Sequence, residues 1–180
     1  MRKKGVKMDR ERIMIFIDGS NVYSIAKNMG CIPNEQNYQN LILKLTGQDK
    51  LIRVYFYTAM PDQSKERESY RKTRGFLNRL EQLPCFEICF GKLKYPTDGS
   101  RPVQKGVDVK LATDILEYAH KNLYDNAIIV SGDADIAYVL PFVKDKGKHV
   151  TNAFFKRGLS NDIRQKSDFF IELDCNSFKK

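Results

Sequence analysis

Histidine and cysteine are scarce in this chain of 180 residues. The two histidines, His120 and His149, stand far apart, and the four cysteines, Cys31, Cys85, Cys89 and Cys175, form no Cys-x-x-Cys pair. Zinc-site spacing is therefore absent. Cys85 and Cys89 fall four apart in a strand-like run, and we read them as small apolar side chains of a core rather than a redox pair. No apolar run approaches the ~20 residues that cross a bilayer. The longest, Ile13 to Ile17 and Ala127 to Val130, have the length of buried strands. The basic start, Met1 to Lys4, is not followed by the apolar segment of a signal peptide. These absences lead us to expect a cytoplasmic protein with no membrane partner.

The length suits one domain with one full core. We expect a basic N-terminal tail over 1–11, a single domain over 12–175 and a C-terminal tail over 176–180. Hydrophobic residues make up 42% of the chain, an ordinary globular mixture. The formal net charge is +9. A basic surface favours a polyanionic partner such as nucleic acid, and gains meaning if acids cluster where that surface leads.

Periodicity predicts strands over 12–17, 51–58, 86–93, 126–131, 149–155 and 169–173. Helices are predicted over 22–29, 38–46, 64–81, 107–118, 134–145 and, after an N-cap at Ser160, 160–165. The segment 95–106 carries Pro96, Gly99, Pro102 and Gly106 and reads as a loop. Strands alternate with helices, which predicts an α/β fold with a mostly parallel sheet covered on both faces.

Ligand sites of such sheets form beyond the carboxyl ends of the strands. The first strand runs into Asp18, with Asn21 three residues on; the fourth runs into Ser131, Gly132, Asp133 and Asp135; Asp108 stands in the first turn of the helix after the glycine-containing loop. Each acid alone could cap a helix or complement its dipole. Gathered at one sheet edge they would repel one another unless a cation offsets them. An oxygen-rich cluster without His or Cys suits a hard cation, Mg²⁺ or Mn²⁺.

Phe16-Ile17-Asp18-Gly19-Ser20-Asn21, Lys105-Gly106-Val107-Asp108 with Asp114, and Val130-Ser131-Gly132-Asp133-Ala134-Asp135 together resemble the NYN domain, most closely its LabA-like branch, related to PIN-domain nucleases. The resemblance runs from about Ile13 to Leu173, with three motifs in order. It implies a PIN-like (Rossmannoid) three-layer α/β/α sandwich and metal-dependent cleavage of RNA. By motif, Asp18, Asp108 and Asp133 match the metal-binding acids, Asn21 and Ser131 the polar residues beside them, and Asp135 a fourth acid. Asp114 matches an acid of the family helix, but it lies about 240° of helix rotation from Asp108, so a buried hydrogen-bonding role is equally open. Ile136 stands where the family usually has an aromatic residue, a packing change.

Lys92, Lys94, Arg101 and Lys105 flank the loop that delivers Asp108, and we expect them to meet an RNA backbone. Tyr95 among them could stack on a base. Lys105 matches the lysine of the second motif; a salt bridge to a cluster acid is the other reading. Arg67, Arg71 and Arg74 share a helix face, although Glu66 and Glu68 interrupt the run and a solvated surface accounts for half of these charges. The resulting expectation is a metal-dependent ribonuclease, and a homodimer is compatible with it. The alternative is an RNA-binding or regulatory module of the same fold with little catalysis. A haloacid-dehalogenase-type phosphatase would need an acid at position 20, which is Ser; a Toprim-like nuclease would want glutamate in place of Asp18; a receiver domain leaves Asp108 unexplained.

Overall fold

The computed structural model describes residues 10–97 and 102–179. The expected N-terminal tail therefore lies outside the described residues up to residue 9. Seven strands form one sheet: β1 (Arg12–Asp18), β2 (Lys50–Ala59), β3 (Phe86–Lys94), β4 (Val103–Lys105), β5 (Asn126–Val130), β6 (His149–Phe155) and β7 (Phe169–Leu173). Their spatial order is β4-β3-β2-β1-β5-β6-β7. Every pairing is parallel except β3 with β4.

β1 is the central strand, and alternation along it builds the two cores. Ile13, Ile15 and Ile17 enter one apolar cluster, while Met14 and Phe16 enter the other. The first cluster is closed by α1 (Gly19–Asn28), α2 (Glu35–Thr46) and α3 (Arg67–Leu80) through side chains such as Val22, Leu41 and Leu77. The second is closed by α4 (Val107–His120), α5 (Leu140–Lys144) and α6 (Asn161–Lys166) through Leu111, Val143 and Ile163. Helices thus cover both faces of the sheet. Full burial of each such aliphatic side chain contributes about 1.5–3 kcal/mol.

Four local departures from the sequence reading have physical causes. The first helix begins at Gly19, not at residue 22, because Asp18 itself caps it. Within the expected loop 95–106, residues Val103–Lys105 pair antiparallel with Lys92–Lys94. The expected helix 134–145 is two pieces, a 3₁₀ turn at Asp135–Tyr138 and then α5, which carries Pro141 in its first turn; proline has no N–H to continue the preceding ladder. Cys85 does not belong to the strand: it precedes β3, is exposed, and adopts φ 62°, while Cys89 is half-buried. The two thiols therefore do not share a core face.

The segment expected as a C-terminal tail packs through residue 178. Cys175–Phe178 form a 3₁₀ turn capped by Asp174. Phe178 is buried against Tyr38 and Phe155, with ring centroids 6.0 and 5.9 Å away. Cys175 is joined to Cys31 by a disulfide across a separation of 144 residues. No helix among the described residues is long and apolar enough to cross a membrane.

Candidate metal centre

The chain order makes a switch point beside β1: β2 and β3 are laid down on one side of it and β5, β6 and β7 on the other. In open α/β sheets the crevice beyond the strand ends opens at such a point. β1 ends there in Asp18 and β5 leads there into Ser131 and Asp133.

Asp18 is 4% exposed. It is the N-cap of α1, and its Oδ1 accepts the Asn21 N–H at 3.0 Å. An N-cap oxygen satisfies an otherwise orphaned helix donor, so the local turn fixes the carboxylate's direction. Its other oxygen, Oδ2, accepts a long hydrogen bond from the fully buried Ser131 hydroxyl at 3.4 Å. Gly19 admits nothing larger, since a Cβ there would collide with the Phe56 ring.

The loop after β5 is tied down from three sides. Gly132 N–H donates to Asn21 Oδ1 at 2.9 Å, Asp133 N–H donates to Ser131 Oγ at 3.2 Å, and Asp135 N–H donates to Asp133 Oδ1 at 3.0 Å. A Cβ on Gly132 would strike the Gly158 carbonyl and the Phe154 ring, so only glycine lets this loop settle onto the next one. From β6, Asn152 donates through Nδ2 to the carbonyls of Ile129 and Ser131 at 3.1 and 2.8 Å. Asn152 is fully buried and was not singled out from sequence; an amide set directly before the apolar run Ala153–Phe155 of a strand is the signal that could have found it.

Asp108 arrives by a different route. Gly106, at φ 78°, turns the chain from β4 into α4, and the helix places Asp108 in its first turn. Gly91 of β3 lies so close to Val107 that a Cβ would overlap it, which seats the start of α4 on the sheet. One carboxylate oxygen each from Asp18, Asp108 and Asp133 then lie within 4.8 Å of one another.

Such crowding has an electrostatic cost. Burial, followed by the charges of Asp108 and Asp133, pushes the Asp18 carboxyl up to about 6 despite the helix-cap hydrogen bond that opposes it. Asp108 is also displaced upward, by desolvation and then by Asp133 and Asp135. A divalent cation held there would offset the repulsion among the three carboxylates and favour their ionised forms. The donors are all carboxylate oxygens, graded from buried Asp18 to exposed Asp108, and this set fits Mg²⁺ or Mn²⁺.

The other expected site residues fall around this centre. Asn21 and Ser131 hold the two loops together. Asp135 is exposed and outside the group of three, yet near enough for its charge to act on Asp108. Lys92 and Lys105 are directly opposed on the β3–β4 ribbon, and Lys94 stands two residues along; all three are exposed. Lys105 makes no ion pair with the three acids. Arg101 lies outside the described residues. Tyr95 is held by its hydroxyl, which accepts the Asp62 N–H at 2.7 Å, and by Lys65 over its ring at 4.4 Å.

Asp114 is apart from the acid centre. It is 6% exposed and accepts from the Tyr57 hydroxyl at 2.9 Å and from Lys110 Nζ at 3.0 Å. Burial, then the Asp114 charge, moves the Tyr57 hydroxyl far above its ordinary pKa. The buried hydrogen-bonding alternative describes this residue.

A hollow of about 550 Å³ lined by Leu116, His120 and Phe142 sits toward the far end of α4 from Asp108. A second, of about 470 Å³, adjoins Asp18 through Gly19 and Ser20.

With this geometry in place, comparison with known proteins identifies the class. The NYN domain model matches residues 12–174, and the chain belongs to the NYN domain family. It is 24% identical over 172 residues to the low amplitude and bright protein LabA of Synechococcus elongatus, covering 93% of this chain and 87% of that protein. The crystal structure of a protein of unknown function from Vibrio parahaemolyticus shares the fold, with a TM-score of 0.67 and 23% identity over 94% of this chain and 96% of that one.

Proposed function

We propose that the protein is a metal-dependent ribonuclease of PIN-like architecture, hydrolysing RNA phosphodiester bonds. The observation that carries this reading is the convergence of Asp18, Asp108 and Asp133 at the switch point of the sheet. Asp18, Asp108 and Asp133 would hold Mg²⁺ or Mn²⁺, with Asp135 at the outer edge. When bound there, such an ion supplies Lewis-acid polarisation of a phosphate and a bound water of lowered pKa. Asn21 and Ser131 keep the two acid-bearing loops at fixed separation. Lys92, Lys94, Arg101 and Lys105 serve as contacts to the RNA backbone, offsetting its repulsion from the acids. The Cys31–Cys175 disulfide opposes the expected cytoplasmic placement, because such bonds are rare in reducing compartments.

The deciding experiment is cleavage of single-stranded and structured RNA and of DNA oligonucleotides, with and without Mg²⁺ or Mn²⁺, by the parent and by Asp133→Asn. Metal-dependent RNA cleavage lost in the variant supports the reading. RNA binding without cleavage under any metal would favour the regulatory module instead.

A further inference from the structure

We propose that the groove beside Asp18 is a subsite for one unstacked nucleobase of the bound RNA chain, adjacent to the acid centre. The groove has the volume of a small-molecule site, about 470 Å³. Its position rests on shared segments. Gly19 and Ser20, which follow Asp18 directly, form part of its wall, and so do Thr58 and Ala59, one and two residues beyond the β2 partner of Asp18. Gln104 also lines it, donating through Nε2 to Ser20 Oγ at 2.6 Å; it lies four residues before Asp108. The same two chain segments therefore wall the groove and carry two of the three acids.

The lining chemistry matches a nucleobase, which offers flat apolar faces and a polar edge. Tyr23 is 48% exposed at the groove and Phe76 is half-buried in it, so two aromatic side chains are available for a base to pack against. The Thr58 and Thr73 hydroxyls and the Gln104 carboxamide supply donors and acceptors for a base edge. Buried Tyr38 also lines the groove, beside Phe56 and Phe76. A base held here places its attached phosphate at the carboxylates. The fully paired bases of a duplex could not enter without flipping. The ligand's being RNA rests on the ribonuclease reading; the groove and its residues are a separate claim.

The test measures binding of the full chain to a short labelled single-stranded RNA in EDTA, where cleavage is suppressed. Abasic riboses are placed at each position in turn. One position is expected to lose affinity by ~10-fold, the size of one base–aromatic stack, and with Mn²⁺ the cut should fall next to that position. Thr73→Trp, which fills the groove from α3, should bind parent and abasic RNA equally while keeping Mn²⁺ binding by paramagnetic resonance. Equal binding of every abasic RNA by the parent protein overturns the subsite whether or not Thr73→Trp folds. So does a position-specific loss that survives in a folded Thr73→Trp. Metal-dependent cleavage with no position-specific loss removes the subsite and leaves the ribonuclease. A position-specific loss without cleavage under any metal keeps the subsite and removes the ribonuclease. Absence of any RNA binding overturns the subsite.

Discussion

Asn21 accepts the backbone N–H of Gly132 at 2.9 Å through Oδ1, so a residue in the first turn of α1 is tied to the loop that carries Asp133. The hydrogen bond spans 111 residues of sequence and joins the two strand ends that flank the switch point. Outer contacts of this type typically alter metal affinity or activity by about 10–100-fold. Asn21→Ala should therefore weaken Mn²⁺ binding and RNA cleavage by about that factor, while the thermal midpoint changes little. Calorimetric titration with Mn²⁺ checks it. Unchanged affinity in a folded variant would mean that the loop holds its position without Asn21.

The burial of Asp18 predicts a pH signature. Its carboxyl is raised to about 6 in the folded protein from an ordinary value of 3.8. A raised acid pKa means that the folded state binds the proton more tightly than the unfolded one. The associated stability is present below pH 4 and is lost as pH rises through about 6. In EDTA at pH 7–8, Asp18→Asn should be more stable than the parent by on the order of 2 kcal/mol, with the difference vanishing toward pH 4. Mn²⁺ should stabilise the parent and not the variant. Urea unfolding at several pH values, with and without metal, measures all of this; a variant less stable than the parent at pH 8 in EDTA would show that the carboxylate is not strained.

Much of the sheet was legible because β1, β6 and β7 are short apolar or alternating runs bounded by polar residues. The three acids were visible as a pattern because each stands where a strand ends or a helix starts, and the parallel order brings those places to one edge. The three-residue β4 was hidden in a loop rich in proline and glycine, since its pairing is set by β3 rather than by its own composition. The expected helix 134–145 contained Pro141, whose missing N–H cannot continue a helical ladder, and the structure divides there into a 3₁₀ turn and α5. The disulfide had no local signal, because residues 144 apart meet only in the folded chain. The groove was illegible for the same reason: separate segments supply its walls.

Lys92, Lys94 and Lys105 form one exposed strip, with Lys92 directly opposite Lys105. Like charges paired across strands are unfavourable, so alanine at all three should leave stability unchanged or slightly raised. If the strip meets RNA, each lost phosphate contact lowers the slope of log affinity against log salt by about 0.7 for a single strand. The triple variant should then bind RNA more weakly with a slope reduced by about 2, and Mn²⁺ affinity should be unaffected. The control replaces Arg67, Arg71 and Arg74 of α3. A larger effect there would make that helix the RNA track.

Tyr57 and Asp114 test the separation of structural from site acids. Tyr57→Phe removes the 2.9 Å hydrogen bond to Asp114 and leaves Lys110 as its remaining partner. Loss of one buried hydrogen bond to a charged group should cost about 1.5–3 kcal/mol. Mn²⁺ affinity should stay at the parent value, since Asp114 is not among the three grouped acids. A tenfold loss of Mn²⁺ affinity in Tyr57→Phe would place Asp114 in communication with the metal centre.

The Cys31–Cys175 disulfide ties the C-terminal 3₁₀ turn to the segment between α1 and α2. The same turn is also held without it: Phe178 is buried, and its carbonyl accepts from Asn37 Nδ2 at 2.8 Å and Asn40 Nδ2 at 3.3 Å. The bond's contribution therefore comes from restricting the unfolded chain, and for a loop closed over a separation of 144 residues this amounts to about 5 kcal/mol. Replacing both cysteines by serine should lower stability by that amount and leave metal binding intact, because the pair is absent from the acid centre. Unfolding the purified parent without reductant should expose two alkylatable thiols, Cys85 and Cys89. Four would refute the disulfide. Quenching cells in acid and alkylating under denaturing conditions then reads the compartment: two modified cysteines on the captured protein place it where the bond persists, and four place it in a reducing one, where the noncovalent contacts of Phe178 hold the terminus.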